Sequence, residues 1–257
     1  MLYIELNGKS SLDVQGLSVQ SLAPITKPKI RTETTEIDGR DGDIVTRLGY
    51  SAYDKEISIG LSWDYDIDEV IQFFVENDNG TVLFSNEEDK LYKYEILDQI
   101  DFEKLIRFKT ANVKFHVQPF KYSSIEMAKT WSKLENSITG QNNVIDNNDN
   151  TTITSSDSMT VRNIGNYVSR PTITLYGNGT IHLYINGSQV LKIDLDENTQ
   201  ITIDSEKMEA YNSETLELMN RQVTGNYENI KLNVGKNVIK WDGYVTRFEI
   251  SNFSRWI

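Results

Sequence analysis

Three carboxylates and a guanidinium meet in a glycine-rich turn at Asp38, Gly39, Arg40, Asp41, Gly42 and Asp43, between two extended runs. Hard cations favour several carboxylates on a sharply turned loop, so the first chemistry to test is calcium binding. Counted from Asp38, the third and fifth positions are Arg40 and Gly42 and the twelfth is Gly49 in place of Glu, which rejects an EF-hand. A looser site from Asp41 and Asp43 competes with a turn whose glycines supply positive φ. A second acidic stretch offers Asp146, Asn148, Asn150 and Asp157, but Thr151 stands where the turn glycine belongs and an Asp where the closing Glu belongs. No metal site is expected from either.

Catalytic patterns are equally thin. The sequence holds no P-loop, no Gly-x-Ser-x-Gly elbow and no cofactor fingerprint, so no cofactor is expected. Its two histidines, His116 and His182, fall on strand-like runs with no acid or nucleophile at a triad-like local spacing. A glycosidase carboxylate pair forms in space and leaves no local signature. With no cysteine, disulfides, thiolate metal sites and cysteine nucleophiles are excluded. The remaining candidate contacts are aromatic. His182, Tyr184 and Trp241, with Tyr176 nearby, would stack on sugar rings if they face outward, or pack inward as core. The reading is of a chain that is not an enzyme.

The chain has 257 residues, which suggests two domains, with a single large β-sandwich as the alternative. Its apolar fraction of 38% supports ordinary cores, and no apolar run is long enough to span a bilayer. The start, "MLYIELNGKSSL", lacks a basic region followed by an apolar one, so no secretory signal is read and the sequons at Asn150, Asn178, Asn186 and Asn252 carry no weight. A net charge of −12 disfavours counterion-release binding to nucleic acid. It also serves simple solubility.

The elements that would carry these residues are mostly strands. Asn7-Gly8 marks a hairpin, and Pro24 and Pro28 make "APITKP" a connection. In "KEISIGLSW", Ile57, Ile59, Leu61 and Trp63 alternate onto one buried face, whereas Ile30 to Ile37 is polar enough for a solvated or partner-facing edge. One helix is predicted in "DIDEVIQFFVENDNG", capped by Asp66 with Glu69 as its capping-box partner. Its apolar stripe is Ile67, Val70, Ile71 and Phe74, and Gly80 ends it. "LIRFKTANVKFHVQPFKY" reads as a long strand ending at Pro119, with His116 on its polar face. The Asn- and Thr-rich "ENSITGQNNVIDNNDNTTITSSDS" reads as a linker or long loop. Beyond it, Gly177-Asn178-Gly179 and Asn186-Gly187 read as turns between short strands, and "QITIDS", "NIKLNVG" and "NVIKWDGYVTRFEISNFSRWI" extend an all-β sandwich.

Taken in order, the N-terminal hairpin with "TEIDGRDGDI", then "FKTANVKFHVQPFKY", "NIGNYVSRPTITLYGNGTIHLYINGS", "GKNVIKWDG" and "VTRFEISNFSRWI" resemble a distal tail protein of long, non-contractile-tailed phages. The resemblance runs over essentially the full length. It implies a mainly β chain. Residues 1–134 would form a β-sandwich-like ring domain with one helix and a hairpin, and residues 135–257 a galectin-like or carbohydrate-module-like β-sandwich. The last strand would either finish that sandwich or return to the first domain. It further implies a homo-hexameric ring at the virion tail tip, assembled in the host cytoplasm and open to passing DNA, with back-to-back rings also allowed. Implied partners are the major tail tube protein, a tail-tip or tail-associated protein and a receptor-binding protein, with no membrane. Gly39, Arg40, Asp41 and Gly42 match the family's charged glycine turn and become candidate ring-interface residues, the alternative being a solvated hairpin tip. "HLYIN" supplies His182 and Asn186, but a galectin's partner arginine is not recognisable. A carbohydrate-binding module for host cell-wall glycans is therefore the alternative function.

Overall fold

The turn at Asn7-Gly8, with both residues at positive φ, joins β1 (Ile4–Leu6) to β2 (Lys9–Ser10) as the sequence predicts. The structure is a computed structural model and describes residues 1–124, 127–132, 137–141 and 158–257. Met1–Ser124 with Ile257 form one compact unit, and Ile125–Trp256 form a second. The 134/135 boundary expected from sequence, and the candidate cation loop at Asp146, Asn148, Asn150 and Asp157, lie outside the described residues. No described helix is long and apolar enough to cross a membrane.

In the first unit the chain continues through β3 (Leu17–Ser21), β4 (Ile30–Glu36), β5 (Asp43–Tyr50) and β6 (Tyr53–Leu61). Then follow α1 (Ile67–Val75), β7 (Asn79–Phe84), β8 (Lys90–Glu95), α2 (Phe102–Phe108) and β9 (Thr110–Ser123). The main sheet runs β2-β1-β7-β8-β9-β6-β3 through antiparallel pairs. Its core gathers Ile4, Leu6, Ile57, Ile59, Val70, Phe74, Phe84, Tyr92, Phe115 and Val117. Edge-on rings link Phe84 to Tyr92 and Phe115 at 5.4 and 5.7 Å.

Several local expectations need correction. Trp63 is 98% exposed, although Ile57, Ile59 and Leu61 are buried as expected. The Ser62 amide donates to the Gly16 carbonyl, the Gln15 amide side chain donates to the Asp64 carbonyl, and the chain turns before the alternation reaches Trp63. Asp66 caps α1 by accepting from the Asp68 and Glu69 amides, but the Glu69 carboxylate accepts from the Gln15 amide, so no reciprocal capping box closes. Helix α1 buries Val70, Phe73 and Phe74 and stops at Val75, and Gly80 already lies in β7. A second helix, α2, occupies "FEKLIRF" and so takes in Leu105 to Phe108, where the start of a strand was expected; Asp101 caps it and Lys109 ends it in the left-handed region. Strand β9 passes through Pro119 to Ser123, because a register shift opposite Tyr92 and Tyr94 takes up the residue that cannot donate.

The second unit comprises β10 (Met127–Ser132), β11 (Ser137–Gln141), β12 (Ser158–Asn163), β13 (Thr172–Ile185), β14 (Ser188–Asp204), β15 (Glu209–Tyr211), β16 (Val223–Gly225), β17 (Gly235–Asn252) and β18 (Arg255–Trp256). Strand β11 falls inside the stretch expected to be loop. The path β11-β10-β17-β13-β14-β15 holds the sheet together, with β12 also on β17 and β16 on β14. In "NIKLNVG", residues 229–234 form no strand, Leu232 alone among them makes a bridge, to Ser169, and Gly235 opens β17. Asn186-Gly187 is the β13–β14 hairpin turn as predicted, whereas Gly177-Asn178-Gly179 lies inside β13.

That glycine run is a corner. Trp241 and Phe248 sit on the same strand, yet their rings stack at 4.3 Å with an interplanar angle of 10°. Seven extended residues would separate them by about 23 Å, so β17 must fold over between them. Gly243, at φ +98°, supplies the bend, and a Cβ there would lie 2.4 Å from the Thr180 carbonyl oxygen. Register shifts in β13 at Gly177 and Gly179 match it. Long bent strands thus enclose one core containing Ile173, Leu183, Ile193, Ile203, Trp241 and Phe248.

Candidate functional site

Residues 22–29 leave β3 without regular structure and deliver the chain to β4, whose Thr-rich, β-branched run suits an extended conformation. Among the described residues, strands β4 and β5 pair only with each other and make a separate two-stranded sheet. Opposite pairs are Thr32 with Arg47, Thr34 with Val45 and Glu36 with Asp43 on one face, and Glu33 with Thr46 and Thr35 with Ile44 on the other. Residues 31–48 are exposed on both faces, including Ile37, Ile44, Val45 and Leu48. An isolated hairpin of this kind is marginal in water, and both its edges present unpaired backbone groups.

The tip holds Gly39 and Gly42 at φ +79° and +80°, with the Arg40 amide donating to the Ile37 carbonyl at 3.1 Å. A side chain at either glycine would meet open space, so the turn needs them for conformation and not for room. Arg40 and Asp41 are exposed beside them, and no ion pair among the described residues involves Asp38, Arg40, Asp41 or Asp43. Glu36 and Asp43 face each other across the ladder, a like-charge pair that disfavours the free hairpin. No described group of three or more His, Asp or Glu residues is arranged to hold a metal ion.

The aromatic candidates separate. Trp241 is 1% exposed and belongs to the core, so its expected role as a glycan contact is corrected: the bend at Gly243 turns it inward. His182 and Tyr184 stand on the outward side of β13 and converge on Asp242 of β17. His182 Nδ1 lies 2.6 Å from Asp242 Oδ1, and the Tyr184 hydroxyl donates to Oδ2 at 3.0 Å. Beside them, Lys192 and Thr180 hold Asp194 at 2.8 and 2.7 Å. Asn186 is occupied in its turn, accepting from the Val238 amide and donating to Asn237. Sequence reading had no means of finding Asp242, 60 residues from His182, without the strand register. In the first unit His116 similarly meets Asp54 at 2.8 Å on a solvated face.

Partial burial alone would raise the Asp242 carboxyl, but hydrogen bonds from His182 and Tyr184 and the His182 charge outweigh it and hold the group below the usual carboxylate range. A depressed folded-state value stabilises the fold above the unfolded value near 4, and this is lost as pH falls through the folded value. Asp242→Asn should therefore lower the thermal midpoint of the second unit most above about pH 5, with the difference from the parent protein closing at lower pH. Parallel acid melts check this.

No protein-family model matches the sequence, and no curated protein does. Solved structures do. The distal tail protein Dit of phage SPP1, described as a paradigm of the hub adsorption apparatus in phages infecting Gram-positive hosts, aligns over 100% of both chains with 15% identity and a TM-score of 0.64. A chain of the phage P2 baseplate, in its activated conformation with Ca, aligns over 98% of this chain and 97% of its own, with 11% identity and a TM-score of 0.52. From one end to the other, the fold of this chain is that of a phage distal tail protein.

Proposed function

We propose that the chain is a structural hub of a phage tail tip, in which the N-terminal unit joins copies of itself into a ring and the hairpin of residues 30–50 forms part of the joint. The observation that carries this reading is the exposed two-stranded sheet, on a fold that matches the SPP1 hub protein along its full length. A hairpin with apolar residues outward and both edges open gains from a neighbouring copy what it lacks alone. Six copies around an opening would join the tail tube to the adsorption parts, and a chain of net charge −12 would let DNA pass without adhering. The role is non-enzymatic and belongs to the virion.

Molar mass and negative-stain images across a concentration series test the proposal. Six-fold rings with a central opening are the expected result; monomers at every concentration, also with tail-tube and tail-tip partners added, would sink it. Arg40→Ala with Asp41→Ala should weaken association a few-fold while leaving the melt unchanged, since exposed charge pairs contribute about 0.2–1 kcal/mol each.

A further inference from the structure

A cluster of buried charge lies where the hairpin is rooted. Lys55 on β6 is 2% exposed, and Glu87 and Lys121 are buried beside it. Glu87 is satisfied by the Lys121 ammonium at 2.6 Å and by the Tyr92 hydroxyl. Lys55 has no such carboxylate: among the described residues it makes no ion pair, and its ammonium lies 5.2 and 4.9 Å from the Phe84 and Tyr92 ring centroids. Its hydrogen bond goes to the Pro24 carbonyl at 3.1 Å, on the strap of residues 22–29 that leads into β4. Asn86 donates to the neighbouring Ala23 carbonyl at 3.3 Å. The strap itself makes no strand, and among the described residues its one backbone–backbone bond runs from the Ser51 amide to the Lys29 carbonyl.

A buried ammonium is costly to desolvate, and an apolar side chain of the same length would fill the site without that cost. Burial accordingly holds the Lys55 ammonium below its ordinary range, with Glu87 drawing it up and Lys121 pushing it down. What Lys55 supplies and methionine does not is a directed bond to one carbonyl of the strap.

We infer that Lys55, with Asn86 as a second tie, is a positioning residue that pins the strap at Ala23 and Pro24 and so sets the direction in which the hairpin leaves the N-terminal unit. Its consequence for assembly rests on the reading of that hairpin as a subunit joint, but the pin itself is a property of one chain. Because the sequence has no cysteine, nitroxides can be placed at will. Thr34→Cys on β4 and Gln118→Cys on β9, both exposed, report the hairpin's orientation in full-length chains diluted with unlabelled protein.

Lys55→Met should leave the thermal midpoint of the first unit unchanged or higher, yet at least double the width of the spin–spin distance distribution. An equally narrow distribution in a folded Lys55→Met protein overturns the inference. Should that variant fail to fold, Asn86→Ala removes the other tie from an exposed turn, and broadening there supports the pin while an unchanged width overturns it. Failure to form rings under any condition removes the joint and leaves this result standing, so the two readings fail separately.

Discussion

Replacing residues 31–49 by an Asn-Gly turn is expected to abolish assembly above the monomer mass while the N-terminal unit stays folded. Ile30 pairs with Tyr50 at the root, so a two-residue turn closes the remaining strands. No residue from 31 to 49 contributes to the core cluster of that unit, which means the deletion removes no buried apolar contact. The joint, by contrast, loses Ile37, Ile44, Val45 and Leu48 together with two strand edges. Central interface contacts of this kind typically amount to several kcal/mol, so association should weaken by about a thousand-fold or more. Light scattering over a concentration series with a parallel thermal melt checks both halves. Rings of full stoichiometry from the shortened chain would show that the hairpin is a solvated ornament.

Trp241→Ala should be the most damaging single substitution in the second unit, at about 3–5 kcal/mol. The indole is buried against Phe248 in a face-to-face stack, and the core around it includes Leu183, Ile193 and Ile203. Against a domain stability of about 5–15 kcal/mol, a loss of that size lowers the thermal midpoint by roughly 10–20 °C. Hydrogen exchange followed separately in residues 1–124 and 158–257 should show the loss confined to the latter. If Trp241→Ala instead left the melt intact and changed only retention on a cell-wall glycan array, the inward placement would be refuted and the sugar-contact role restored.

What was legible in the sequence was whatever a few neighbouring residues decide. Asn7-Gly8 and Asn186-Gly187 need positive φ at both positions, and both are hairpin turns. Asp66 caps its helix, Ile57 and Ile59 alternate inward, and the second unit is built from strands. What distant residues decide was not legible. Gly177-Asn178-Gly179 has the composition of a turn, but corners and turns ask the same freedom of glycine, and only the pairing of β13 with β17 makes it a corner. Trp63 left the buried face because Gly16, 46 positions before Ser62, captures the Ser62 amide. Helix α2 has seven residues, too few for a periodicity to stand out from the strand pattern that follows. For the candidate site, the edge character of Ile30 to Ile37 was visible in its polarity, whereas the inward turn of Trp241 and the convergence on Asp242 required the fold.

The place of β17 in its sheet sets a timetable for synthesis. Ala128 pairs with Ser251 and Thr160 with Val238, so β10 and β12 are held by a strand made long after them. At about 5–20 residues per second, the interval between β10 and the end of β17 is on the order of ten seconds. Throughout it, a nascent chain carries the strand edges of β10 and β12 that β17 will later cover. Translation that stalls before Asn252 therefore releases a polypeptide whose second unit is an adhesive half-sheet, a substrate for chaperones and proteases.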